Sequence, residues 1–118
     1  MIRLVGNRLI INKGDTGLFA IPNTVPGHTG ALAVLVVYDS LYKTKVIEKC
    51  VDASGPVLHF AFTSQDTANL EPRKYYWDII IYHQPILDED GFPTDGMRID
   101  SYYGTLPKLP PFIVKGVI

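Results

Sequence analysis

Cysteine is almost missing from this chain. A single residue, Cys50, among 118 excludes an internal disulfide framework and a multi-cysteine zinc site. Net charge is almost missing too. Eleven Lys and Arg against 12 Asp and Glu leave a formal −1, which supplies no long-range field for steering onto nucleic acid or an anionic membrane. Helix formers are scarce, with 6 Ala and 3 Glu. Long apolar runs are lacking: the longest, Ala31 to Tyr38, stops at eight residues, against the ~20 that a membrane-spanning helix needs. Met1 to Gly6 offers a short apolar stretch without a small-residue cleavage site, so no signal peptide is read there. The expectation is a soluble chain made in a cytoplasm, with neither nucleic acid nor membrane as a partner.

What is abundant points to one class of fold. The chain holds 10 Val, 12 Ile and 8 Thr together with 13 aromatic residues, the types that suit a pleated, half-buried surface. Nine Pro and ten Gly recur at short intervals, the spacing of turns between strands. Hydrophobic residues at 47% exclude wholesale disorder, and the length fits one domain over residues 1–118. An all-β domain is predicted.

Eight short strands can be read along the chain. Leu9–Asn12 comes first, and Lys13–Gly17 turns it. Leu18–Ile21 follows until Pro22 removes a ladder donor. Ala31–Asp39 is apolar on both faces, as a central strand would be. Lys45–Val51 is partly exposed, and Val57–Phe62 alternates with Leu58, Phe60 and Phe62 on one face. Ser64–Leu70 is the one helical piece, with Ser64 placed to cap a single turn. Tyr75–Tyr82, Met97–Tyr103 and Phe112–Ile118 complete the set, and His83–Gly96 reads as a long polar loop. Seven to eight strands without repeats or linkers predict a single antiparallel β-sandwich.

Leu70-Glu-Pro-Arg-Lys-Tyr75 leads straight into Tyr75-Tyr-Trp-Asp-Ile-Ile-Ile-Tyr82. In sandwiches of the immunoglobulin type, a tyrosine at the start of the penultimate strand bonds its hydroxyl to backbone a few residues upstream. Leu70 and Pro72 would set that corner, Tyr75 would be that tyrosine, and Trp77 would join the inward stripe with Ile79 and Ile81. The alternative is a generic turn before a strand.

Few residues suggest chemistry. Asp88, Asp90 and Asp95, with Gly91 for a sharp turn, make a calcium loop conceivable. The glycine and glutamate positions of an EF-hand are missing, and the plainer reading is a hairpin loop using Asp-Gly turn chemistry. His28, His59 and His83 are too far apart in sequence to anchor a metal as a close pair. His59, beside Val57 and Ala61, reads as a packed or rim histidine. Cys50 reads as a plain thiol, since nothing places a histidine near it. Gly14-Asp-Thr-Gly17 echoes the triplet of aspartic proteases but lacks the apolar motifs that surround it there. No nucleophile elbow, phosphate loop or dinucleotide fingerprint is present. The expectation is a non-enzyme without catalytic residues, metal or cofactor. Tyr38, Tyr42, Tyr76, Tyr82, Tyr102 and Tyr103 are many tyrosines for one small domain; exposed, they would favour partner or sugar contact, and buried strand tyrosines would look the same. Tyr102, Tyr103 and Phe112 are the candidates for partner contact.

The succession Gly14-Asp-Thr, Leu18-Phe-Ala-Ile, Gly30-Ala, Gly55-Pro-Val-Leu-His-Phe, Asp66-Thr-Ala-Asn-Leu-Glu-Pro and Tyr75-Tyr-Trp-Asp-Ile resembles the small immunoglobulin-like domains of phage and prophage virion proteins, notably the amino-terminal domain of baseplate upper proteins. It spans roughly residues 12–82. Arg73-Lys74 stands where that pattern usually has glycine, and the acidic loop and the Pro-rich carboxyl end are additions. The resemblance implies a structural, multi-copy virion subunit of the tail or baseplate kind, a homo-oligomer made in the cytoplasm and carried in the particle. Leu106 to Phe112 would then extend along a partner. A carbohydrate- or ligand-binding sandwich, calcium-stabilised through the acidic loop, is the alternative.

Overall fold

The computed structural model describes residues 1–40, 43–101 and 109–116, without the side chains of 95–101. Among these residues nine strands and one short helix follow in order: β1 (Ile2–Val5), β2 (Arg8–Asn12), β3 (Gly17–Pro22), β4 (Leu32–Asp39), β5 (Thr44–Asp52), β6 (Val57–Phe62), α1 (Ser64–Ala68), β7 (Lys74–Leu87), β8 (Pro93–Ser101) and β9 (Pro111–Lys115). The chain is all-β. Its larger sheet runs β1-β2-β9-β7-β4-β5, with β8 also paired to β7, and β3 and β6 form a second sheet of two strands.

The expected single antiparallel arrangement needs correction. The larger sheet is mixed, because β2 and β9 pair in parallel, Leu9 against Phe112 and Ile11 against Val114. Parallel neighbours need a long return path between them. Here nearly the whole chain supplies it, since β2 lies near one terminus and β9 near the other. The strand count also rises by one. Residues 2–5 pair with β2 across a two-residue turn, Gly6-Asn7, in which Gly6 takes φ +64.

The two sheets enclose one core. From the small sheet, Phe19, Ile21, Leu58, Phe60 and Phe62 point inward; from the large one come Leu9, Ile11, Leu35, Val37, Tyr75, Trp77, Ile79, Ile81 and Phe112. Burying one such side chain stabilises by roughly 1.5–3 kcal/mol. Trp77 sits at the centre, fully enclosed. Phe19 meets it edge to face at 5.7 Å, and its indole N–H donates to the Asn7 carbonyl at 3.0 Å. The large sheet is covered on its other face as well. Val34, Val36 and Tyr38 pack there with Leu109, which explains why β4 is apolar throughout. Asp78 is buried on that face and accepts the Ile79 amide at 2.8 Å.

The segment between β6 and β7 is fastened locally. Thr63, one residue earlier than expected, precedes the helix as its cap, and the Asp66 carboxylate accepts the Thr63 amide at 2.7 Å. Asp66 also pairs with Lys49 at 2.7 Å, and the buried Thr67 hydroxyl accepts the Gly14 amide at 2.8 Å. Leu70 packs partly buried against the core, while Pro72 is exposed. Tyr75 is buried, and its hydroxyl donates to the Glu71 carbonyl at 2.9 Å.

Candidate functional site

Residues 83–96 depart most from expectation. Their polarity predicts a loop, yet β7 continues to Leu87 and β8 returns from Pro93. β4 accompanies β7 only from Tyr76 to Tyr82, whereas β8 accompanies it from Ile80 to Leu87. Beyond Tyr82 the two strands therefore form a ribbon of their own. Register shifts interrupt it near Tyr82 and between His83 and Ile86, and Gln84 takes φ 47 there. Such bulges bend a strand and sharpen its twist. Phe92 anchors the ribbon by packing on the outer-face cluster, but Ile86 and Leu87 remain 66% and 48% exposed.

The acidic tip is a turn built by one carboxylate. Asp88 Oδ1 accepts the amides of Asp90 and Phe92, each at 2.9 Å, and Gly91 takes φ +84. Glu89 and Asp90 stay exposed. Among the described residues no group of three His, Cys, Asp or Glu side chains is placed to hold a metal; the Asp95 side chain lies outside them.

The three histidines do not converge. His28 and His83 meet at the base of the ribbon, rings perpendicular and 5.5 Å apart, whereas His59 is exposed on the outer face of β6. His83 Nδ1 is enclosed without a hydrogen-bond partner among the described residues. Asp15 belongs to the β2–β3 turn, where its carboxylate accepts the Thr16 amide at 2.9 Å. Cys50 is half-buried beside the outer-face cluster, and burial pushes its thiol pKa up.

The aromatic candidates separate. Phe112 is fully buried against Phe62 at 5.9 Å, so this ring has no surface to present to a partner. Its strand is inserted between β2 and β7, a position that only the sheet order reveals. Tyr38 is buried, while Tyr76 and Tyr82 are half-buried against the outer-face cluster. Tyr42, Tyr102 and Tyr103 lie outside the described residues, as do 106–108 of the proline-rich stretch. Leu109 and Pro110 of that stretch are buried, and the Pro110 carbonyl accepts the Trp77 amide at 3.1 Å.

One feature escaped the sequence reading. At the far end of the β4–β7 pair, Ser40, Lys43, Arg73, Lys74 and Tyr76 line an open cleft of about 420 Å³. Register brings them together, because Tyr38 lies opposite Tyr76 and the chain turns just beyond each. Ser40 takes φ 51, unusual for a residue with a side chain. Arg73 pairs with Asp39 at 2.6 Å, and that hydrogen bond raises its pKa further, keeping it charged. Lys74 lies over the Tyr76 ring at 5.7 Å. Among the described residues neither Lys43 nor Lys74 has a carboxylate partner. The cleft is therefore basic. Its signal in the sequence, Arg73-Lys74 beside a strand start, became meaningful only once Lys43 was brought alongside.

Comparison with protein-family models, with curated proteins and with solved structures finds no match for this chain.

Proposed function

We propose that the chain is an immunoglobulin-like sandwich acting as a non-enzymatic assembly module, making protein–protein contacts as one of many copies in a virion complex of the tail or baseplate kind. The strand order supports the fold: β9, β7, β4 and β5 adjoin in one sheet, β3 and β6 form the facing one, and a helical turn precedes β7. The Tyr75–Glu71 hydrogen bond has the form of that class's tyrosine corner.

The observation that carries the function is the state of the β3–β6 sheet. Among the described residues neither strand has a second hydrogen-bonded strand neighbour, although β1 comes close to β3 and β5 to β6, and the outer face presents Leu18 at 77% and Val57 at 41% exposure. Strand edges without a ladder partner are templates for pairing with another chain unless they are covered. Light scattering over a concentration series is expected to detect oligomers; monomers alone at the highest concentration would overturn the assembly reading. The virion assignment predicts that peptides of this chain occur in particles purified from cells carrying its gene. Their absence from such particles would remove that part.

The basic cleft favours a second reading, a binding module for an anionic sugar or other small ligand, with Tyr76 and three cationic side chains in its lining. Saturable binding of an acidic glycan by the monomer, lost on Lys74→Ala, would favour it over assembly.

A further inference from the structure

We infer that copies of this chain join head to tail, the acidic tip of the β7–β8 ribbon of one copy entering the basic cleft of the next. This deepens the assembly reading and rests on it. The two surfaces belong to opposite ends of one ladder. The cleft adjoins the Tyr38–Tyr76 end of the β4–β7 pair, and the ribbon leaves from the Leu32–Tyr82 end. That ladder alone spans about 20 Å at the usual rise per strand residue. The tip does not line the cleft, and no ion pair joins the two among the described residues.

Their charges are opposite. Lys43 and Lys74 bring to the cleft two cations without an ion-pair partner among the described residues, and the Arg73 charge faces Asp39 at 2.6 Å and the exposed Glu71 at 3.9 Å. At the tip, Asp88 is committed to its turn, which leaves Glu89 and Asp90 as exposed carboxylates. No lysine or arginine forms an ion pair with either among the described residues. Beside the tip, Ile86 and Leu87 supply the apolar surface that a dry contact needs, and charge complementarity fixes orientation. A second copy satisfies one end of the first, and a further copy the other. Because the two patches differ, the contact is heterologous, and repetition yields a ring or an open filament.

The test is sedimentation velocity of the full chain at low salt over a concentration series. Three proteins are compared: wild type, Lys43→Glu/Lys74→Glu, and Glu89→Lys/Asp90→Lys. Wild type is expected to associate, and each variant alone to associate about tenfold more weakly or worse. An equimolar mixture of the two variants is expected to recover association, since opposite signs then meet at both junctions. Raising salt to ~0.5 M is expected to weaken the wild-type contact. Melting curves matching wild type establish that the variants are folded. Variants that associate as wild type does would overturn the head-to-tail contact and leave assembly through the sheet edges standing. Failure of the mixture to recover would also overturn it. A wild type that remains monomeric throughout would overturn the assembly reading itself.

Discussion

From Tyr75 to Ile81, β7 lies in the large sheet beside β9 or β4, and its inward side chains meet the small sheet. From Pro85 to Leu87 it has β8 alone. The residue types hardly differ: Ile79 and Ile81 are fully buried, and Ile86 is 66% exposed. Identity of the side chain therefore does not decide burial along this strand. The facing layer does, because each isoleucine gains its hydrophobic stabilisation only where another layer removes water from it. The first half of β7 is spent on stability. The second half leaves Ile86 and Leu87 exposed.

The sharpest way to break this comparison is at Trp77. Trp77→Ala should cost about 3–5 kcal/mol through the lost ring and the cavity left between the sheets; denaturant titration measures it, and a loss no larger than that of a surface residue would contradict the central position of the ring. Tyr75→Phe keeps the ring and removes the bond to Glu71. A loss of about 1 kcal/mol is expected, with the denaturant slope unchanged. Cys50 probes the covered outer face. Since burial raises its thiol pKa, alkylation at neutral pH should be slower than for a free thiol and should accelerate as pH climbs past the ordinary thiol range. Unfolding in denaturant should abolish that lag. The smallest effect on stability belongs to the ribbon: Ile86→Thr with Leu87→Thr should change it by no more than about 0.5 kcal/mol per site. The same pair should weaken self-association, which separates a surface built for contact from one built for folding.

Much of the fold was legible because its signals are local. Strand β6 alternates residue by residue, β4 is apolar on both faces, and the four-residue reach from Tyr75 to Glu71 lies within one turn of chain. Strand β1 was missed because Leu4 and Val5 are both exposed, which blurs its alternation, although Gly6-Asn7 carried the turn signal. The ribbon was misread as loop because its Pro, Asp and Gly residues resemble a linker. Pairing with β8 across the hairpin makes those residues strand, although no alternation within the segment announces it. Phe112 looked available for a different reason, since the strands on either side of it lie far away in sequence. The cleft was unreadable: Lys43 and Arg73-Lys74 belong to separate segments that only the β4–β7 register unites.

The order of residues by itself determined an all-β chain, an inward aromatic stripe through Tyr75 and Trp77, and one acidic turn, since propensity, alternation and turn chemistry act over a few neighbouring residues. Tertiary structure decided which strands are neighbours, that β2 and β9 run parallel, that Phe112 is interior, and that a basic hollow and an acidic tip lie beyond opposite ends of the β4–β7 ladder. Those outcomes depend on hydrogen-bonded ladders between distant segments, whose choice is made by the burial of the whole core.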